Sequence, residues 1–148
     1  MIKPITTWIV VADGARARVV RNRGPGKGIE AIDRMVFQSE HPPTRAIAAD
    51  KPGRTFESVG RLRHAKQPRS DAHQALKQDF TRMIAQQLEQ RGDDYDRIIL
   101  VAPPATLGAL RQSIAKDVAD KIHGELAKDL THTPNDELHN HLKDLIAV

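Results

Sequence analysis

Few residues of this chain are typed and spaced for bond-making chemistry, and Asp13 is the first to test. It follows an apolar run, Thr6–Ala12. A metal-dependent nuclease places a carboxylate at the end of its first strand in this way, and adds further carboxylates from a helix and a later strand. Here the later apolar run ends in Ala102-Pro103-Pro104 with no carboxylate, and the preceding helical segment offers Asp79, which adjoins the apolar Phe80 and has no evident partner. Asp13-Gly14 therefore reads as a tight turn with Asp13 at its first position. The histidines fare no better as metal ligands. His139 and His141 are two residues apart, which on a helix turns them roughly 200° from each other. His132 and His139 also lack the four-residue spacing of a chelating pair, and there is no cysteine. A structural zinc is not expected. Gly24-Pro25-Gly26-Lys27-Gly28 is glycine-rich, but Lys27 is followed by Gly28 and no helix opens there. It reads as a loop tip rather than a phosphate-binding loop. Ser39, Ser58, Ser70 and Ser113 all lack the Gly-x-Ser-x-Gly context of a nucleophile elbow. The expectation is a non-enzymatic binding domain with no cofactor.

Charge gives the chain its character. Residues 1–69 hold 14 Lys+Arg against 6 Asp+Glu, and residues 70–148 hold 9 against 13. A basic half is joined to an acidic half, and the net +4 conceals the division. Such asymmetry points to a polyanionic partner, most often nucleic acid. Aromatics are limited to Trp8, Phe37, Phe56, Phe80 and Tyr95. Readers of single-stranded RNA stack bases on exposed rings, and only Phe56, in a polar stretch, offers itself. Contact with phosphates is thus favoured over base-by-base reading. The absence of cysteine suits a reducing cytoplasm. The run at Trp8–Ala12 is too short for a signal sequence, and no stretch reaches the roughly 20 apolar residues of a membrane helix. A cytoplasmic chain with no membrane insertion is expected.

The elements that must position these residues follow from periodicity. Thr6–Ala12 is apolar on both alternating faces, with Trp8 and Val10 on one side and Ile9 and Val11 on the other. Such a strand belongs in the middle of a covered sheet. Ala15–Arg21 alternates, turning Ala17 and Val19 to the core and Arg16, Arg18 and Val20 to the other face. Ile29–Phe37 reads as a third strand. Residues 41–69 carry four prolines, two glycines and a basic majority without periodicity, and read as one long loop. Ser70-Asp71 can cap a helix that buries Ala72, Leu76, Phe80, Ile84 and Leu88 and ends with Gly92 as its C′ residue. Arg97–Ala102 is an interior parallel strand. Pro104 opens a helix through Leu107, Leu110, Ile114, Val118 and Ile122, with its stop at Gly124. Leu126–Thr131 is the last strand expected, and Thr133-Pro134 opens a final helix with Leu138, Leu142, Leu145 and Ile146 inward.

The order β-β-β, loop, α-β-α-β-α describes a single α/β domain. Its mixed five-stranded sheet is a three-strand antiparallel meander followed by parallel crossovers, with helices on its faces. That order matches the ribonuclease-H-like topology.

Four segments resemble one known family in chain order: TWIVVADGARARVVR at Thr7–Arg21, DKPGRTFES at Asp50–Ser58, LVAPPATLGALR at Leu100–Arg111 and KDLTH at Lys128–His132. They resemble the bacterial host attachment proteins over nearly the whole chain. That family is in turn similar to the middle domain of archaeal and eukaryotic release factors. The resemblance implies a translation-related ancestry with RNA or the ribosome as partner. The Gly-Gly-Gln loop of peptide-releasing relatives is absent from the sequence, so peptide release from tRNA is not implied. An attachment role would act indirectly, through regulation inside the cell.

Two binding surfaces are expected on the residues themselves. Arg16 and Arg18 on the second strand, with Arg54, Arg61, Arg63, Lys66 and Arg69 on the long loop, would form a cationic patch for RNA phosphates. The Ala102-Pro103-Pro104 connection, beyond a strand's carboxyl end and at a helix N-terminus, would place a small anion near Thr106 and Asp13. A third expectation is self-association, with the basic half of one copy meeting the acidic half of another to give a homodimer.

Overall fold

Strand β1, Thr7–Ala12, buries every one of its residues. The computed structural model describes residues 4–39 and 78–147, and β1 lies at the centre of its sheet. The alternation of apolar side chains makes this position available, because both faces of the strand must be covered. Strand β2 (Arg16–Asn22) and strand β3 (Glu30–Gln38) follow as an antiparallel meander. A helix, α1, is described over residues 78–90. Strand β4 (Arg97–Val101) pairs with β1 in parallel, and strand β5 (Ile122–Leu126) pairs with β4 in parallel. The spatial order is β3-β2-β1-β4-β5. The single α/β domain with a mixed five-stranded sheet is therefore as the sequence implies.

Two cores sandwich the sheet. On one face Trp8, Val10, Ala12, Val19, Ile98 and Leu100 meet Phe80, Ile84 and Leu88 of α1 and Leu107 and Leu110 of helix α2 (Pro104–Ser113). On the other, Ile9, Val11, Val20, Ile99 and Val101 meet Leu130 and helix α4 (Asn135–Leu142). Leu138 and Leu142 of α4 are fully buried at four-residue spacing. Each such burial is worth roughly 1.5–3 kcal/mol, enough to seat this short helix on the sheet. The stripe expected on α1 is present at Phe80, Ile84 and Leu88. Ala72 and Leu76 lie outside the described residues, as does the 41–69 segment.

Three boundaries differ from the sequence reading. Gly92 does not cap α1 in the left-handed region; the chain continues into a single 3-10 turn, Gly92–Asp94, closed by the Asp94 N–H donating to Arg91 O at 2.9 Å. The helix expected to run to Gly124 stops at Ser113. Ile114 is extended, a short helix α3 follows at Lys116–Ala119, and Ile122 and Gly124 belong to β5. Ile114 and Val118 stay buried in the first core, so the apolar spacing is satisfied by a broken path. The backbone decides the break. Ile98 N–H donates to Lys121 O at 2.8 Å and Ala102 N–H to Leu126 O at 3.1 Å, which adds a strand to β4 that a continued helix would forfeit. The strand expected at Leu126–Thr131 accordingly lies earlier, at Ile122–Leu126, and residues 127–134 form the turns that lead into α4.

Candidate functional site

The Asp13 turn is built as the sequence suggests. Its Oδ1 accepts from the N–H groups of Ala15 (2.7 Å) and Arg16 (2.8 Å), and its own N–H donates to Arg16 O at 2.9 Å. An aspartate that satisfies two turn amides sets the hairpin that starts β2. Its second oxygen lies 3.3 Å from the hydroxyl of Thr131.

Thr131 belongs to the turn segment that leads from β5 to α4. Asp129 organises it: Oδ1 accepts from Thr131 N–H at 3.0 Å and from Thr131 Oγ1 at 2.5 Å. The Thr131 hydroxyl bond holds the Asp129 carboxyl below the usual carboxylate range, with smaller help from the Thr131 amide, His132 and Arg16. Leu130, between them, is buried in the second core and ties the segment to the sheet.

Arg18 locks this segment from across the sheet. Its Nε donates to Asn135 Oδ1 at 2.9 Å and its Nη1 to Thr131 O at 2.8 Å, while Nη2 donates to Thr133 O. Alternation along β2 puts Arg18 on the face that α4 covers, beside Val20. Burial lowers its pKa. Arg18, expected to project into a cationic patch, thus clasps three neutral oxygens of its own chain. Arg16 is exposed, and no ion pair with a carboxylate is formed by it among the described residues. Arg21, by contrast, shares Glu30 with Arg23 at 2.9 and 2.7 Å. Arg54, Arg61, Arg63, Lys66 and Arg69 lie outside the described residues.

These side chains border a cleft of about 230 Å³ lined by Val11, Arg16, Ala17, Arg18, Val36, Phe37, Gln38 and Thr131. Val36 stands opposite Arg18 in the β2–β3 register and is 76% exposed, an unusual state for valine on a strand. Thr106, half-buried in the first turn of α2, is not part of this lining. The cleft and Asp13 are brought together through Thr131 rather than through the Ala102-Pro103-Pro104 connection. Sequence reasoning missed Val36, Gln38, Asp129 and Thr131 as neighbours of the two arginines. The one available signal was the Asp-x-Thr spacing at 129–131, which favours a side-chain-capped turn.

The remaining candidates are placed as follows. Gly24, Gly26 and Gly28 all have positive φ, and the buried Asn22 pins their loop by donating to Gly28 O (2.8 Å) and accepting from Gly24 N–H (3.0 Å). His139 Nδ1 lies 2.8 Å from Asp136 O, and His123 Nε2 lies 3.0 Å from Leu145 O. Among the described residues no group of three or more His, Cys, Asp or Glu could hold a metal ion, and no helix is long and apolar enough to cross a membrane.

Fold and site together define a small α/β domain with a mixed sheet, an arginine-clasped turn and a cleft at one end of the β2–β3 ribbon. A family described as "Protein required for attachment to host cells" matches residues 8–142, and the chain belongs to it. No curated protein matches the chain at a significant level.

Proposed function

We propose that this chain is a non-enzymatic binding module that serves attachment to host cells indirectly, by contacting RNA or a translation component in the cytoplasm. The observation that carries the reading is the division of charge: 14 cationic residues against 6 acidic ones up to residue 69. Local pairing offsets part of this charge, since Arg21 and Arg23 share Glu30 and Arg34 lies 3.9 Å from Asp33, while Arg16 is in no ion pair among the described residues. A polyanion would be attracted by phosphate contacts, and its affinity would fall steeply with salt as counterions are released.

The test is binding of total RNA and heparin to the full chain across a salt series. Affinity that falls with salt, with a shallower slope in an Arg61/Arg63/Lys66 triple-alanine variant, supports the reading. Binding that is absent, or unchanged in the variant, overturns it. Salt-dependent self-association untouched by RNA would instead favour a protein-interaction module that forms homodimers.

A further inference from the structure

We infer that the cleft beside Arg18 binds the carboxylate group of a small, largely apolar acid. The inference goes beyond the polyanion reading and does not rest on it. Its first ground is a cation whose direct partners are all neutral. The Arg18 guanidinium is half-buried, yet every acceptor it meets is neutral: two backbone carbonyls and the Asn135 side-chain oxygen. No ion pair among the described residues includes Arg18. A partly desolvated cation whose direct hydrogen-bond partners are all neutral favours an anion at the surface it borders. The guanidinium has five N–H groups and three are engaged, so one remains on each terminal nitrogen. Arg18 lines the cleft and Arg16 adds a second cation there.

The second ground is the apolar lining. On the face that carries Arg18, Val36 is left largely uncovered beside it and the buried Val11 pairs with Arg18 on the other side, while Ala17 and Phe37 line the cleft but turn their side chains to the opposite core. Small-molecule sites combine such apolar walls with a few fixed polar groups. The third ground selects the anion. Asp13 and Asp129 both face the Thr131 hydroxyl, at 3.3 and 2.5 Å, and Thr131 forms part of the cleft. Two carboxylates at this end oppose a doubly charged phosphate more strongly than a singly charged carboxylate.

The experiment titrates the full chain with benzoate, neutral benzamide and inorganic phosphate at fixed ionic strength, followed by backbone amide NMR. Benzoate should shift the amides of residues 16–18, 36–38 and 131, with benzamide and phosphate each at least about tenfold weaker. Arg18 also clasps the 131–135 segment, so the variants leave it intact. Val36→Glu, at an exposed position, puts a like charge on the cleft wall and should weaken benzoate about tenfold or more. Arg16→Gln should weaken it severalfold. Equal binding of benzoate and benzamide, no shift of these amides at millimolar benzoate, or benzoate binding unchanged in Val36→Glu would each overturn the proposal. RNA binding retained or lost in the Arg61/Arg63/Lys66 variant bears on the other reading alone.

Discussion

Replacing Arg18 by alanine should loosen one half of the molecule while sparing the sheet. The side chain makes three hydrogen bonds across 113 to 117 residues of sequence, to Thr131 O, Thr133 O and Asn135 Oδ1. A hydrogen bond from a charged donor contributes about 1.5–3 kcal/mol. The gross loss is reduced because the three bonds are only part-buried, so water can replace them, and because a half-buried charge is removed. A net destabilisation of about 3 kcal/mol is expected. Domains of this size hold about 5–15 kcal/mol in all, so the variant should still fold. Trp8 is the sole tryptophan and is buried in the core on the opposite face, which makes its fluorescence a probe of global unfolding in urea. The midpoint should fall with the slope unchanged. Hydrogen exchange should show the loss concentrated in α4, whose amides should open before those of β1. Arg18→Lys keeps the charge, but one ammonium cannot match a planar fork that spans three acceptors, so it should recover only part of the loss. An alanine variant within about 0.5 kcal/mol of the parent, or equal exchange changes in β1 and α4, would refute the clasp.

Two further outcomes follow from titratable groups. Tyr95 is buried, donates to Leu88 O at 2.8 Å, and is pushed up to about 12 by burial and the nearby Glu89. Its stabilising contribution is complete below the ordinary phenol value of about 10 and is lost as pH rises through the folded value. Ultraviolet titration of this single tyrosine should therefore show ionisation near the alkaline unfolding transition, and ionisation at the ordinary value in the folded protein would contradict the placement. Asp129 is shifted the other way, chiefly by the Thr131 hydroxyl. Its contribution is present above the ordinary carboxylate range and is lost as pH falls through the lowered folded value. Thr131→Val should bring the Asp129 carboxyl back toward its usual range in a carbon-13 NMR titration and reduce stability in mild acid; an unmoved titration would show that the hydroxyl is not the cause.

The sheet was legible because β1, β2 and β4 declare themselves locally. Trp8 and Val10 alternate with Ile9 and Val11, and the two sets fill the two opposite cores as that alternation requires. Ile98 to Val101 is apolar throughout and lies inside the sheet for the same reason. The stretch from Ile114 to Leu126 misled because apolar residues four apart fit a helix as well as the broken path observed. Hydrogen bonding to β4, a long-range term, settled it. The membership of the host attachment family was also legible, since its segments run in order along residues 8–142.

The site divides along the same line. The sequence by itself determined the Asp13 turn, because a carboxylate two and three residues from free amides needs no distant partner. It also determined that Arg18 leaves the sheet on the face opposite Ala17 and Val19. What that face meets was decided only by tertiary structure. Leu130, Leu138 and Leu142 seat the chain from 130 to 142 on the sheet, and their burial brings Thr131, Thr133 and Asn135 onto the guanidinium. An arginine read along the strand is a solvated cation. Packed against a segment more than a hundred residues away, it becomes a clasp on three neutral oxygens, because packing and not local spacing sets which oxygens surround it.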